Sequence, residues 1–122
     1  MFRIRRVFDD LLPFDAREIA QVQALLKEQF PGIDATEVDA LPEKLRNPFK
    51  QQFRSFLYVA DDTQARISGF ALVSLEPRIG VWFLDYIAAS LRGTGGVGGA
   101  LYARLREEAA SNPPTRGLFF EC

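Results

Sequence analysis

The spacing of hydrophobic residues changes along the chain, and each period predicts one kind of element. Residues 2–8 alternate hydrophobic residues with arginines, which is typical of a strand that buries one face and turns the other to water. Over residues 15–30 the hydrophobic residues recur at helical spacing, and Asp15 with Glu18 has the form of an N-terminal cap for this amphipathic helix. A second helix is predicted over residues 42–52, with an interruption at a proline.

The middle of the chain returns to the short hydrophobic runs of β-strands. Three such runs, over residues 56–59, 67–73 and 81–87, are separated by turn-forming residues and predict an antiparallel meander. A glycine cluster at 93–99 then opens another amphipathic helix, and residues 117–122 form one more strand. This order predicts a single α+β domain whose mixed sheet has helices on both faces. The last strand should run parallel to the one before it, because a helix connects them.

Composition narrows the classes of function. The 122 residues are 48% hydrophobic and 25% charged with a net charge of -1, which describes a soluble globular domain without a broad cationic surface for nucleic acid. The chain has no histidine, which excludes imidazole catalysis and imidazole metal sites within it. Its one cysteine, Cys122, permits neither an intrachain disulfide nor a thiolate metal cluster, so we expect no metal site and a cytoplasmic setting. No hydrophobic run is long enough for membrane insertion.

The glycine cluster is the segment whose pattern points to chemistry. Five glycines occur in residues 93–99, where a strand turns into a helix. Glycines let several backbone N–H groups converge on one anion beside the positive end of a helix, so the turn suits a pyrophosphate; a plain flexible loop is the alternative. A Walker A loop is excluded because Ala100 follows the glycines and no lysine stands nearby. A Rossmann fingerprint is disfavoured because the glycines follow three antiparallel strands, although Glu121 lies at a suitable distance.

A family resemblance rests on this loop and on the strand before it. The strand ends in Tyr86-Ile87-Ala88-Ala89, and the loop reads Arg92-Gly93-Thr94-Gly95-Gly96-Val97-Gly98-Gly99-Ala100-Leu101-Tyr102. Together they resemble the acetyl-CoA loop of the GCN5-related N-acetyltransferases (GNAT family), with its pattern Arg/Gln-x-x-Gly-x-Gly/Ala. The order of elements resembles that family over nearly the whole chain. The loop is one residue longer than the pattern, since Gly93 takes the Arg/Gln position when Gly96 and Gly98 take the glycine positions.

The resemblance implies an enzyme that transfers acetyl from acetyl-CoA, its co-substrate, to a primary amine by direct attack. Glu121 stands where some members have a catalytic glutamate, and hydrophobic neighbours would raise its pKa into the range of a general base. Asp85 is the second candidate base, because it interrupts a hydrophobic strand. A solvent-exposed carboxylate is the alternative for both. The resemblance assigns backbone contacts with the pantetheine arm to Ile87, Ala88 and Ala89, and pyrophosphate contacts to Arg92, Gly93, Gly95, Gly96, Val97, Gly98 and Gly99.

The resemblance also implies further elements after the last strand. The family fold continues there with a helix and a hairpin, so we expect a domain that is incomplete at its C-terminus. The uncovered edge of such a strand favours completion by another chain or by a second copy as a homodimer. A non-catalytic module that retains the fold to bind CoA or a partner protein is therefore the competing interpretation. The acceptor is expected to be a small-molecule or peptide amine, with neither nucleic acid nor membrane as a partner.

Overall fold

The computed structural model describes residues 2–46, 54–90 and 96–111, together with the backbone of residues 117–120. Within these segments, no helix combines the length and the apolar character needed to cross a bilayer. The elements in chain order are β1 (Arg3–Val7), α1 (Pro13–Gln29), α2 (Ala35–Asp39), α3 (Leu41–Arg46), β2 (Arg54–Asp61), β3 (Ile67–Glu76), β4 (Val81–Ala89), α4 (Val97–Ser111) and β5 (Gly117–Phe120).

The strands form one mixed sheet in the order β1-β2-β3-β4-β5. The first four are antiparallel neighbours, whereas β5 runs parallel to β4 after the crossover through α4. The antiparallel meander and the parallel last strand confirm the topology predicted from the sequence. The α+β class with helices on both faces is confirmed as well.

The helices divide between the two faces of the sheet. We call these the α1 face, which α1, α2 and α3 cover, and the α4 face. Alternate side chains of β2 point to opposite faces of the sheet: Leu57 and Val59 pack under α1, while Phe56 and Tyr58 pack under α4. All four side chains are buried. Burial on both sides explains why β2 reads as a continuous hydrophobic run rather than as an alternating one.

The region after α1 differs from the sequence prediction. The described part of the helix predicted over 42–52 is the shorter α3, and residues 47–53 lie outside the described residues. The sequence analysis missed α2. Asp34 caps α2, since its Oδ1 accepts a hydrogen bond of 2.8 Å from the Thr36 N–H. Asp34 and Glu37 form the capping pattern that could have revealed this helix.

Two expectations for the N-terminal region were wrong. Helix α1 begins at Pro13, which has the φ that the first turn requires, and no side chain caps it. Asp15 and Glu18 are therefore not a capping pair. The β1 arginines do not simply face water either, because Arg5 donates to both of these carboxylates and is only 25% exposed. The charges of β1 and α1 neutralise each other on the α1 face.

Candidate functional site

A β-bulge interrupts the pairing of β3 with β4. Leu72 and Val73 are consecutive in β3, but they pair with Tyr86 and Leu84 of β4, which lie two positions apart. The residue between these two, Asp85, is therefore the extra residue of the bulge. A bulge leaves its extra residue outside the ladder and bends the strand. The Asp85 carboxylate accepts a hydrogen bond from the Ser74 hydroxyl. This contact holds Asp85, one of the two candidate bases, at the bend of β4.

The described pairing of β4 with β5 reaches the same bend. Val81 to Leu84 are registered with Gly117 to Phe120, the last described residue of β5. In the part of the chain that the structure describes, no strand pairs with the outer edge of β4 from Asp85 to Ala89. We call this stretch the open edge. Its geometry suits an extended ligand, in the way that a sheet edge accepts an added strand.

The register shows which backbone groups face this open edge. The Ser90 N–H donates to the Ser68 carbonyl at 2.8 Å, so Ser90 faces β3. Backbone direction alternates along a strand, which turns Ala88 toward β3 as well and turns Ile87 and Ala89 outward. Of the three residues assigned to the pantetheine arm, Ile87 and Ala89 are therefore the ones whose N–H and C=O groups lie on the open edge.

The C-terminal end of α1 approaches the open edge. Gln29 Nε2 donates a 2.9 Å hydrogen bond to the Ala89 carbonyl. Phe30 packs edge-on against Tyr86, with ring centroids 5.0 Å apart. These contacts fix the end of β4 from the α1 face. Sequence reasoning missed Gln29, because a polar residue at the end of a helix carries no local signal of a partner sixty positions away.

The start of α4 lies beyond the end of β4. Its first helical hydrogen bond runs from the Ala100 N–H to the Gly96 carbonyl at 3.0 Å, so the N–H groups of Val97, Gly98 and Gly99 have no acceptor within the helix. Gly96 has φ +89, which favours glycine. The space where side chains would stand at Gly96, Gly98 and Gly99 is open for at least 4 Å. Three N–H donors thus lie at the positive end of a helix, with open space at the Cβ positions of Gly98 and Gly99, an arrangement that suits an anion.

Gly69 on β3 sets the distance between α4 and the sheet. A Cβ atom at this position would lie 2.6 Å from Val97 Cγ1 and 2.8 Å from the Ala88 carbonyl oxygen. Gly69 is registered with Ala89, and Val97 is the first residue of α4. The missing side chain lets α4 start directly beside the open edge. An isolated glycine within a predicted strand is a signal that sequence analysis could have used.

Several residues named from the sequence lie outside the described residues. They are Arg92, Gly93, Gly95 and Glu121. Within the described part, Asp85, Ile87 and Ala89 lie on the second half of β4, and Val97, Gly98 and Gly99 lie in the first turn of α4.

A buried group of charges lies under the N-terminal half of α1. Asp61 on β2 accepts hydrogen bonds from Arg3 Nε at 2.9 Å and from Arg5 Nε at 2.8 Å. Arg5 also donates to Asp15 at 2.7 Å and to Glu18. The Asp61 and Glu18 side chains are fully buried. One strand, β3, separates Asp61 on β2 from β4.

The surroundings of Glu18 favour its protonated form. Burial, together with the hydrogen bond and the charge of Asp61, raises the pKa of Glu18 to about 8 against the opposing effect of Arg5. Although burial alone would raise the pKa of Asp61, hydrogen bonds from Glu18, Arg5 and Arg3 bring it below its usual value. Glu18 Oε2 has no donor, but as a carboxylic acid it can donate to the Asp61 carboxylate. The protonated form also balances the charges, since two arginines then face two carboxylates.

No protein-family model and no curated protein matches the chain. Solved structures do match it. A protein assigned to the GNAT family of acetyltransferases, from Desulfovibrio desulfuricans, is similar with a TM-score of 0.71 at 23% identity, over 100% of this chain and 74% of that one. The ribosomal-protein-alanine N-acetyltransferase of Brucella melitensis is similar with a TM-score of 0.68 at 20% identity, over 100% and 80%.

A third similar structure contains a ligand. AAC(6')-Iy in complex with the bisubstrate analog CoA-S-monomethyl-acetylneamine has a TM-score of 0.70 at 19% identity, over 100% of this chain and 80% of that one. These matches show that the chain has the GNAT fold, as the sequence predicted. At these identities they establish the fold and leave the chemistry to be argued from the site.

Proposed function

We propose that this protein is an N-acetyltransferase that transfers the acetyl group of acetyl-CoA to a primary amine by direct attack. The observation that carries the proposal is the edge of β4 from the Asp85 bulge to Ala89, which no strand pairs among the described residues and which ends near the first turn of α4. An extended amide-containing arm fits the edge, and a pyrophosphate fits the N–H groups at the start of α4. The GNAT fold of the similar acetyltransferases supports the same assignment.

The described residues are suited to hold the two parts of acetyl-CoA. On the open edge, the N–H groups of Ile87 and Ala89 donate to the carbonyls of the pantetheine arm. The outward-facing carbonyl of Ile87 accepts from the amide N–H groups of that arm. At the start of α4, the N–H groups of Val97, Gly98 and Gly99 serve the pyrophosphate. The proposal extends this anion site to Gly93, Gly95 and Gly96 and to the side chain of Arg92.

The chemistry requires one proton acceptor. A carboxylate first takes one proton from the ammonium, and the neutral amine nitrogen then forms a bond to the acetyl carbon while the carbon–sulfur bond breaks. CoA leaves as a thiolate and takes up the second proton that the acylated nitrogen loses. Asp85 and Glu121 are the residues that follow the last registered pair of β4 and β5, Leu84 and Phe120. We assign the base to this pair of positions. Asp85 receives a hydrogen bond from Ser74, which orients its carboxylate.

Binding of acetyl-CoA tests the site directly. The Gly98→Trp variant places a bulky side chain in front of the helix amides, and the protein itself has no atom within 4 Å of that position. We therefore expect the variant to fold normally and to lose acetyl-CoA affinity by at least about 100-fold in isothermal titration. The matched control is Gly32→Trp, which also enters open space, in the turn after α1. Equal loss in both variants, or unchanged affinity in Gly98→Trp, would contradict the assignment.

Turnover is tested with a panel of amines by mass spectrometry, which avoids thiol reagents that also react with Cys122. The panel should include polyamines, aminoglycosides, amino acids and peptides with free N-termini. If Asp85 is the base, Asp85→Asn should lower kcat by about 100-fold or more and leave the acetyl-CoA dissociation constant unchanged. Glu121→Gln tests the other candidate in the same way. Tight acetyl-CoA binding without turnover of any amine would favour the non-catalytic CoA-binding module instead.

A further inference from the structure

A cavity of about 180 Å³ opens between the second half of α4 and the sheet. Its described walls come from β1, β2, β3, β4 and α4, so it lies where several elements meet. Phe56 and Trp82 form an aromatic floor, with ring centroids 4.9 Å apart. Arg6, Arg54 and Glu108 supply the charged part of the lining.

Arg6 is the most constrained of these groups. Its guanidinium carbon lies 4.0 Å from the ring centroid of Phe8 and 4.2 Å from that of Phe56. Its Nε is buried and has no hydrogen-bond partner. Burial lowers the pKa of Arg6, since the attraction of Tyr58 and Glu108 does not fully compensate it. The structure thus holds a partly desolvated cation in one orientation without pairing it to a carboxylate.

The charges around the cavity are predominantly positive. Glu108 is bound at 3.0 Å by Arg104 of the same helix. Arg6 and Arg54 line the cavity in addition. Among the described residues, three arginines therefore surround one carboxylate. Tyr58 also lines the cavity, and burial followed by the charge of Glu108 raises its pKa to about 12, so its hydroxyl remains a hydrogen-bond donor at neutral pH.

This cavity is remote from the proposed acetyl-CoA site. Glu108 stands ten residues after Gly98 in α4, which corresponds to ~15 Å along a helix. Trp82 stands five residues before Ile87 in β4, which corresponds to ~17 Å along a strand. The two sites lie at opposite ends of α4 and on different halves of β4. A ligand in the cavity would not occupy the open edge of β4.

We propose that this cavity is a second ligand site, which binds a small carboxylate that carries a hydrophobic ring or chain. The guanidinium of Arg6 offers a planar pair of donors that matches a carboxylate, and the Tyr58 hydroxyl offers another. The aromatic floor of Phe56 and Trp82 receives the hydrophobic part. The cavity volume is smaller than the ~300 Å³ of the smallest typical pockets for drug-sized ligands. The ligand is therefore limited to about one ring.

Cyclohexanecarboxylate is a suitable probe, and its neutral isostere, cyclohexanecarboxamide, is the matched control ligand. Trp82 is the single tryptophan of the chain and lies in the cavity wall, so its fluorescence reports binding. We expect the carboxylate to bind the 122-residue chain with a dissociation constant of about 1 mM at constant ionic strength. At ten times this concentration it should raise the Tm by ~5 °C. The carboxamide should bind at least about 10-fold more weakly.

Variants identify the groups responsible. Arg6→Met retains much of the side-chain length and removes the charge, and should weaken carboxylate binding by at least about 10-fold. Tyr58→Phe removes one donor and should weaken it by about 3-fold. Arg66→Met is the matched control, because Arg66 is exposed in the turn between β2 and β3. Gly98→Trp should also leave carboxylate binding unchanged, which separates this site from that of acetyl-CoA.

The outcomes decide the proposal. It is overturned if the carboxylate leaves Trp82 fluorescence and Tm unchanged at 50 times the expected dissociation constant. It is overturned equally if the carboxamide binds as well as the carboxylate, because the cavity would then recognise only hydrophobic surface. If Arg6→Met does not fold, Tyr58→Phe and Arg54→Met decide: unchanged affinity in both contradicts the site, and weakened affinity in both supports it.

Discussion

Replacing Glu18 by glutamine should make the protein more stable at neutral pH, although it removes a fully buried ionisable residue. Glutamine has the same shape and can donate to Asp61 as the protonated Glu18 does. It cannot ionise. The Glu18→Gln variant therefore keeps the hydrogen bond under α1 and abolishes the titration of this position.

The magnitude follows from the shift in pKa. The pKa of Glu18 is raised from 4.5 to about 8, so between these values the unfolded chain carries the ionised group and the folded chain carries the proton. Folding then takes up one proton, and stability falls by about 1.4 kcal/mol per pH unit as the pH rises through this window. From pH 5.5 to 7.5 the wild type should lose up to about 2.7 kcal/mol from this group, whereas Glu18→Gln should lose none of it.

Urea unfolding measured at several pH values between 5 and 8 tests this expectation. Trp82 is buried and is the single tryptophan, so its fluorescence reports the loss of structure. The urea midpoint of the wild type should fall by about 1–2 M between pH 5.5 and 7.5. No histidine contributes to this window, because the chain has none. Asp61 does not contribute either, since its pKa is lowered and its effect belongs to more acidic solution.

Glu28→Gln is the matched control, since Glu28 lies on the same helix and is exposed. This variant should keep the pH dependence of the wild type. The interpretation fails if the stability of the wild type is constant from pH 5.5 to 7.5. It also fails if Glu18→Gln retains the wild-type slope, because another group would then be the one that takes up the proton.

Three further substitutions test the contacts around the site. Gly69→Ala should destabilise the fold by ~1–3 kcal/mol and weaken acetyl-CoA binding, because its Cβ would displace the start of α4. Urea unfolding and calorimetric titration measure the two effects. Gly32→Ala, measured in the same way, should show neither. Arg5→Met should destabilise by roughly 3 kcal/mol, since it leaves buried carboxylates without their cation, whereas Arg66→Met should change urea stability by less than ~0.5 kcal/mol. Gln29→Leu should weaken acetyl-CoA binding measurably by calorimetry while the unfolding midpoint changes little, because it frees the end of β4.

The fold could be read from the sequence because its signals are local. Period-two runs, helical spacing and the glycine cluster each specify an element from neighbouring residues, and connection rules then order the strands. Helix α2 was not predicted, although its signal is local as well, since Asp34 and Glu37 form a capping pattern. Strand length was underestimated where β3 continues to Glu76, because the hydrophobic run ends earlier than the hydrogen-bonded ladder does.

The charged group under α1 could not be read in this way. Arg5 alternates with hydrophobic residues, which locally indicates a water-facing side chain, and Asp15 with Glu18 locally indicates a cap. Their actual partners are one another and Asp61, which lies more than forty residues further along the chain. Long-range pairing overrides the local preference because a buried carboxylate needs a cation or a proton.

The bulge at Asp85 decides which residues of β4 face its outer edge. Without the bulge, the alternation of the strand would continue unbroken and Ala88 would face outward. With the bulge, the strand bends, and the outward direction falls on Ile87 and Ala89 instead. The sequence indicated three neighbouring residues and an aspartate of unknown purpose. The register joins them, since the residue that interrupts the hydrophobic run is the one that turns Ile87 and Ala89 toward the edge on which the proposed cofactor contacts lie.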